Sequence, residues 1–257
     1  MSKAPAVKVW SEEDGRLLRL RLDRPKPNLV DAEMIAGLST ALSKGLVADS
    51  VKAILLDAEG PHFSFGASVE EHLPAQCADM LKSLHRLLLQ LIDSPVPVLV
   101  AVSGQCLGGG LELACAGHLI FAAPGARLGQ PEIKLGVFAP AASCLLPKRV
   151  ARSRSDDLLL SGRSVDTEEG LRIGLVDFVA DDPSGAALDY YREHIAPLST
   201  NSLRFAVRAA HRSRAAHIRA ELDEIEQLYL NELMPTPDAI EGLEAFLARR
   251  DPRWERS

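Results

Sequence analysis

The stretch GQCLGGGLELACAG, residues 104–117, decides how this chain reads. Three glycines, Gly108, Gly109 and Gly110, precede an apolar run with helical character, and one carboxylate, Glu112, is set into that run. Glycine allows close approach of the backbone and positive φ. A helix that starts just after it offers unpaired N–H groups and the positive end of its dipole. Such a place suits an anion, either a phosphate or a developing oxyanion. Tight packing of the glycines against a neighbouring element is the plain alternative.

Spacing narrows the choice. Neither G-x-G-x-x-G nor G-x-x-x-x-G-K-[ST] occurs, which argues against dinucleotide and P-loop sites. No G-x-S-x-G elbow and no H-E-x-x-H are present. A second loop, FSFGAS (residues 63–68), places Gly66 before Ala67, directly after a buried strand pattern. Two loops could each lend one backbone N–H to a single carbonyl oxygen, and one such donor is typically worth roughly 100- to 1,000-fold in rate. GQPEIKLG (129–136) adds Glu132. Singly, each glutamate reads as a surface or salt-bridged residue. Together they could flank one substrate as acid and base, each contributing about 100- to 10,000-fold.

The rest of the chain sets bounds. Its 257 residues, 47% hydrophobic and 25% charged, suffice for one large domain or one domain with an appendage. The net charge of −6 argues against nucleic acid held on a broad basic surface. Two local basic clusters, KRVARSR (148–154) and the segment carrying Arg204, Arg208, Arg212 and Arg214, read first as solvated faces. No apolar run approaches the roughly 20 residues needed to span a bilayer, and the N-terminus lacks a signal core, so a cytoplasmic protein is expected. Cys77, Cys106, Cys115 and Cys144 have no ligand spacing and read as small buried hydrophobes. No metal site is expected.

AVKVW (6–10) and RLLRLRL (16–22) read as two strands joined by SEEDG. RPKPN is a loop fixed by two prolines, and Asp31 is an N-cap for a helix to about Ala48. VKAILLDAEG and VPVLVAVSG are buried strands, with a helix from about Pro74 to Ile92 between them. Three amphipathic helical segments follow at 199–213, 216–233 and 237–250. A strand/helix core over residues 1–182 is therefore expected, followed by a helical region over 183–257.

These residues resemble the crotonase, or enoyl-CoA hydratase/isomerase, superfamily. The likeness is carried by SGQCLGGGLELACAGHLIFAAPGARLGQPEIKLG, RPKPN, FSFGAS and the ending EGLEAFLARRDPRWERS. It implies an α/β fold, a spiral of ββα units with a helical C-terminal trimerisation region that can also cover the active site. It implies an acyl-CoA thioester as substrate, CoA being part of it, with no separate cofactor and no membrane or nucleic-acid partner. Self-association as a homotrimer or a dimer of trimers is implied as well. By the same resemblance the oxyanion hole maps onto the N–H groups of Ala67 and Gly109, and the catalytic pair onto Glu112 and Glu132. Keeping both glutamates favours water addition over isomerisation. Lys26, Phe65, Gly66, Ser68, Val69, Gly108, Pro131 and Phe138 are expected along the substrate and its CoA. His62 and His72 flank the first loop and are weaker candidates.

The sequence also departs from the common pattern. FAPAASCLLP (138–147) replaces a G-x-G-G-T stretch, Ser68 stands where an acidic residue is usual, and Glu70 where a basic one often is. These departures resemble a subgroup of the family that hydrates a cyclic dienoyl-CoA in anaerobic benzoate degradation. A hydratase of straight-chain enoyl-CoA, or an isomerase, is the alternative.

Overall fold

The computed structural model describes residues 5–24 and 26–255, so Pro25 of the RPKPN loop lies outside the described residues. β1 (Val7–Glu12) and β2 (Leu17–Leu22) form an antiparallel hairpin with Val7 opposite Leu22. Asp31 caps α1 (Ala32–Gly45), its carboxylate accepting the Met34 N–H at 3.0 Å. β3 (Ala53–Ala58) runs parallel to β2. α2 (Cys77–Ile92) and β4 (Val98–Val102) follow.

From β4 onward a unit repeats. β4 lies in the large sheet, β5 (Gln105–Leu107) in a small one, and α3 (Gly109–Ala116) turns back. β6 (Leu119–Ala122) and β7 (Arg127–Gly129) divide between the sheets in the same way, before a 3-10 turn at Pro131–Leu135 and α4 (Pro140–Leu145). The pattern is already present after β3, where Ser64 bridges to Cys106 of β5 before α2 begins. This is the expected α/β spiral of ββα units. α5 (Arg152–Ser161), β8 (Ser164–Asp166), α6 (Thr167–Ile173) and β9 (Phe178–Val179) complete the sheets. The large sheet has the order β1-β2-β3-β4-β6-β9, and the small one β5-β7-β8.

Strand alternation sends side chains to two cores. Leu18, Leu20, Ile54, Leu56, Val98, Val100 and Ile120 join the main core with α1, α2, α3 and α4. Leu17, Leu55, Leu99 and Phe121 face the other way, onto α7 (Pro183–Tyr190) and the wide π-type turn Tyr191–Ile195. Arg19 and Arg21 share this second face. Arg19 is buried, its guanidinium 2.6 Å from Asp57, which also receives Arg21 at 2.7 Å and the Ser184 hydroxyl at 2.8 Å.

The structure corrects several boundaries. The segments expected at 199–213 and 216–233 are one helix, α8 (Thr200–Leu228), continued by a π-type turn at Tyr229–Leu233. The helix changes its packing partner rather than its conformation near Arg214, whose guanidinium donates to the Cys115 carbonyl at 3.0 Å. α2 starts at Cys77 because the residues from Pro74 form a turn closed by the Cys77 N–H on the Leu73 carbonyl. α9 (Pro237–Leu247) packs on the 3-10 turn that carries Glu132, and α8 packs on α4 and α2. The four cysteines are free and buried, as expected. Among the described residues no helix is long and apolar enough to cross a membrane.

Candidate active site

The three glycines each answer a different demand. Gly108 has φ +50°, and a side chain there would run into the Glu132 carboxylate. A Cβ on Gly109 would lie 3.1 Å from the Ala67 nitrogen and 3.3 Å from its Cβ. A Cβ on Gly110 would lie 2.6 Å from that of Ser64. Glycine packing and an oxyanion site are therefore not alternatives. The close packing is what brings the Gly109 N–H, at the first position of α3, beside the Ala67 N–H.

Gly109 stands in the first turn of α3, where an N–H has no partner within the helix. Among the described residues neither it nor Ala67 donates to another backbone carbonyl outside helices and strands. Gly108, by contrast, spends its own N–H on the Gly129 carbonyl at 3.0 Å.

The Ala67 loop is held from behind. The Ser64 hydroxyl donates to the Asn28 carbonyl at 2.8 Å and accepts the Gly66 N–H at 3.0 Å. The fully buried Asn28 amide donates to the carbonyls of Glu59 and His62, both at 3.0 Å, and its oxygen accepts the Arg24 N–H at 2.9 Å. The Phe65 N–H reaches the Pro27 carbonyl at 2.9 Å. The exposed loop carrying Lys26 is thereby joined to the loop carrying Phe65, Gly66, Ala67, Ser68 and Val69.

His62 and His72 brace this loop. The His62 ring accepts the Gln105 N–H at 3.2 Å and meets Phe65 edge to face. His72 Nδ1 lies 2.8 Å from the Ser68 carbonyl, which requires the proton on that nitrogen.

Glu112 is buried on α3, and its Oε1 accepts the Ala142 N–H at 2.8 Å. That donor sits in the first turn of α4, where N–H groups have no partner within the helix. Pro140 opens the helix and wastes no donor there. The unusual FAPAAS stretch thus still supplies a helix start to this carboxylate. Burial pushes the Glu112 carboxyl up, against the Ala142 and Ala141 N–H groups and the His85 charge.

The Glu132 carboxyl is pushed up to about 8, through burial and then the Glu112 charge. Two carboxyls that repel in this way resist double ionisation, so the pair holds one proton near neutrality. The Gln130 amide lies between the Gly108 carbonyl and Glu132. Turned one way its nitrogen donates to that carbonyl at 3.4 Å. Turned the other way, as its surroundings favour, the same nitrogen lies 3.1 and 3.0 Å from the two Glu132 carboxyl oxygens.

Phe138 leads into α4 and meets Tyr229 edge to face, with ring centroids 5.1 Å apart. Pro131 opens the 3-10 turn that presents Glu132. The sequence reading missed Gln130 and Tyr229. Gln130 adjoins the PE dipeptide, which could have drawn attention to it. Tyr229 has no motif and is brought in by α8 from 97 residues beyond Glu132, counting along the sequence.

Several side chains of the basic clusters bond within the protein. Arg149 bridges to Asp177 at 2.5 Å, Lys148 to Glu221, and Arg204 donates to the carbonyls of Ala48 and Val51. Among the described residues no group of three or more His, Cys, Asp or Glu could hold a metal ion.

The chain is similar to known proteins along nearly its whole length. The sequence profile described as Enoyl-CoA hydratase/isomerase matches residues 12–257. The chain is 63% identical over 256 residues to cyclohexa-1,5-dienecarbonyl-CoA hydratase of Thauera aromatica, covering 99% of both. It is 34% identical to a probable enoyl-CoA hydratase of Rhizobium meliloti, covering 95% of this chain and 96% of that one. The crystal structure of an enoyl-CoA hydratase/isomerase from Pseudoalteromonas atlantica superposes with a TM-score of 0.85 at 27% identity, over 97% of this chain and all of that one. By sequence and by fold, the chain belongs to the enoyl-CoA hydratase/isomerase family.

Proposed function

We propose that the chain is an acyl-CoA hydratase that adds water to cyclohexa-1,5-diene-1-carbonyl-CoA, giving 6-hydroxycyclohex-1-ene-1-carbonyl-CoA. The observation that carries hydration is the convergence of two raised carboxyls beside the paired N–H groups of Ala67 and Gly109. The Thauera aromatica relative narrows the acyl group to the cyclic diene.

In this reading the thioester oxygen accepts from Ala67 and Gly109. Ionised Glu112 takes a proton from water as its oxygen bonds to the ring carbon β to the thioester. Negative charge spreads over the thioester oxygen and the second double bond, and the two N–H groups stabilise it. Neutral Glu132 delivers a proton to the far end of the conjugated system. The assignment of base and acid rests on the Ala142 N–H, which favours charge on Glu112, and on the burial that lifts the Glu132 carboxyl to about 8 and so keeps its proton on near neutrality. The CoA is part of the substrate, and the steps call on no further cofactor. Lys26, Phe65, Ser68 and Val69 would lie along the CoA, with Gly66, Gly108, Pro131 and Phe138 around the acyl group. Residues 183–257 would cover the site and support a homotrimer or a dimer of trimers, and the protein would work in the cytoplasm.

A panel of CoA esters tests this, with thioester absorbance followed and products identified by mass spectrometry. Water addition to the cyclic dienoyl ester is expected. Efficient turnover of crotonyl-CoA with none of the diene would overturn the ring substrate in favour of a straight-chain one.

A further inference from the structure

One buried polar group beside the carboxylates has no part in the steps above. Tyr229 begins the π-type turn at the end of α8, a turn closed by the Met234 N–H on the Tyr229 carbonyl at 2.9 Å. Wide turns of this kind within helices recur at functional sites. The side chain is fully buried, and its ring packs at 78° against Phe138. Its hydroxyl has no hydrogen-bond partner among the described residues. A buried tyrosine normally finds one, and phenylalanine would make the same ring contact without stranding a hydroxyl. Phe138 leads into α4, on which α8 packs and whose Ala142 N–H holds Glu112, so the Tyr229 ring lies against the segment that supports that carboxylate. Burial first, and then the charges of Cys77, Glu132 and Glu112, hold its proton on well above the usual range. The group is therefore a permanent donor beside that segment.

The added water can use such a donor. A water oxygen has two protons and two lone pairs in a tetrahedral array. One lone pair must aim at the ring carbon, and the two protons can be accepted by the Glu112 carboxylate and the carbonyl oxygen of neutral Glu132. The second lone pair is then left for a donor, which neither carboxyl supplies in this arrangement.

We propose that Tyr229 is a third catalytic contact in hydration, its O–H donating to the oxygen of the water that is added and, in the reverse direction, to the hydroxyl that leaves the ring. Tyr229 keeps its proton throughout. Water loses one proton to Glu112, carbon gains one from Glu132, and the phenol fixes the direction of attack. This rests on the hydratase reading but not on the ring substrate, since any added water has the same four positions.

The test is Tyr229→Phe, assayed beside the wild-type protein on cyclohexa-1,5-diene-1-carbonyl-CoA and on crotonyl-CoA, with thermal unfolding followed in parallel. On whichever ester the wild type hydrates, kcat should fall about 10- to 100-fold, the size of one hydrogen bond to a charge-bearing oxygen. KM should stay within about threefold, since the contact is to water rather than to CoA. The thermal midpoint should hold or rise, because the ring contact with Phe138 survives. Wild-type kcat in the variant would overturn the proposal and leave the hydratase reading standing. A lower midpoint with proportionate loss of active protein would assign Tyr229 to packing and also overturn it. If the wild type hydrates neither ester, the hydratase reading falls and this inference with it.

Discussion

Glu112 Oε1 lies 2.8 Å from the Ala142 nitrogen, so the buried carboxylate of one short helix is held by the N-terminus of the next. This contact separates the roles of two chemically identical side chains. Glu112 has a helix start to favour its charge, whereas Glu132 is raised by burial and by the repulsion of Glu112.

The pH profile should show that separation. The proposed mechanism needs Glu132 protonated and Glu112 ionised. kcat/KM, which reports the free enzyme, should fall as pH rises through about 8, where Glu132 loses its proton. It should fall again on the acid side, as Glu112 gains one at a pH above the ordinary carboxylate value. In Glu132→Gln the alkaline limb should disappear along with most of the rate. An unchanged limb in that variant would assign it to another group.

Replacing either glutamate with glutamine keeps the shape and removes the proton transfer. Glu112→Gln and Glu132→Gln should each lower kcat by about 100- to 10,000-fold. Binding of an unreactive CoA ester, measured by calorimetry, should remain. Wild-type rates in both variants would remove the acid–base assignment.

Gly109→Ala tests the paired N–H groups. The new methyl would press on the Ala67 nitrogen and Cβ, at 3.1 and 3.3 Å, and push one donor out of line. A loss of about 100- to 1,000-fold in kcat is expected, the value of one oxyanion donor. Far-UV circular dichroism should be unchanged, which separates this loss from unfolding.

Asp57→Ala tests the second face of the sheet. It leaves buried Arg19 without its 2.6 Å partner and takes the same carboxylate from Arg21 and the Ser184 hydroxyl. Breaking a buried pair from one side costs about 3–5 kcal/mol. Denaturant unfolding should show a loss of that size, while the remaining folded protein keeps its kcat.

Asn28→Ala tests the brace behind the Ala67 loop. The carbonyls of Glu59 and His62 would each lose a donor. Stranding a buried polar group costs about 1–3 kcal/mol. Unfolding should register at least that much, and KM for the CoA ester should rise because the loop carrying Lys26 loosens.

Much of this was open to reading in the chain. The apolar run at Ile54–Leu56, the Asp31 cap and the stripe of α2 are local signals, and they hold in the structure. GGGLE, FGAS and QPE are local too, because a glycine beside a carboxylate at fixed spacing is itself a chemical statement. The three-residue strands β5, β7 and β8 were not legible. Such a strand is too short for alternation to show and is defined by the partner it pairs with. The length of α8 was missed because only Val207, Ile218 and Leu222 of its 29 residues are buried, too few to mark one continuous stripe.

By itself the sequence determined the helix start with its carboxylate, the second glycine loop, the second glutamate and the likeness to a family that unites them. Those features depend on residue type and short spacing, which the backbone translates directly. Only the tertiary structure decided that Gly109 lies against Ala67, that Gly108 yields its side-chain space to Glu132, and that Ala142 and Gln130 complete the surroundings. These contacts join elements far apart in the chain, and burial then shifts each ionisation according to its neighbours. Which glutamate holds the proton follows from that packing and from no motif.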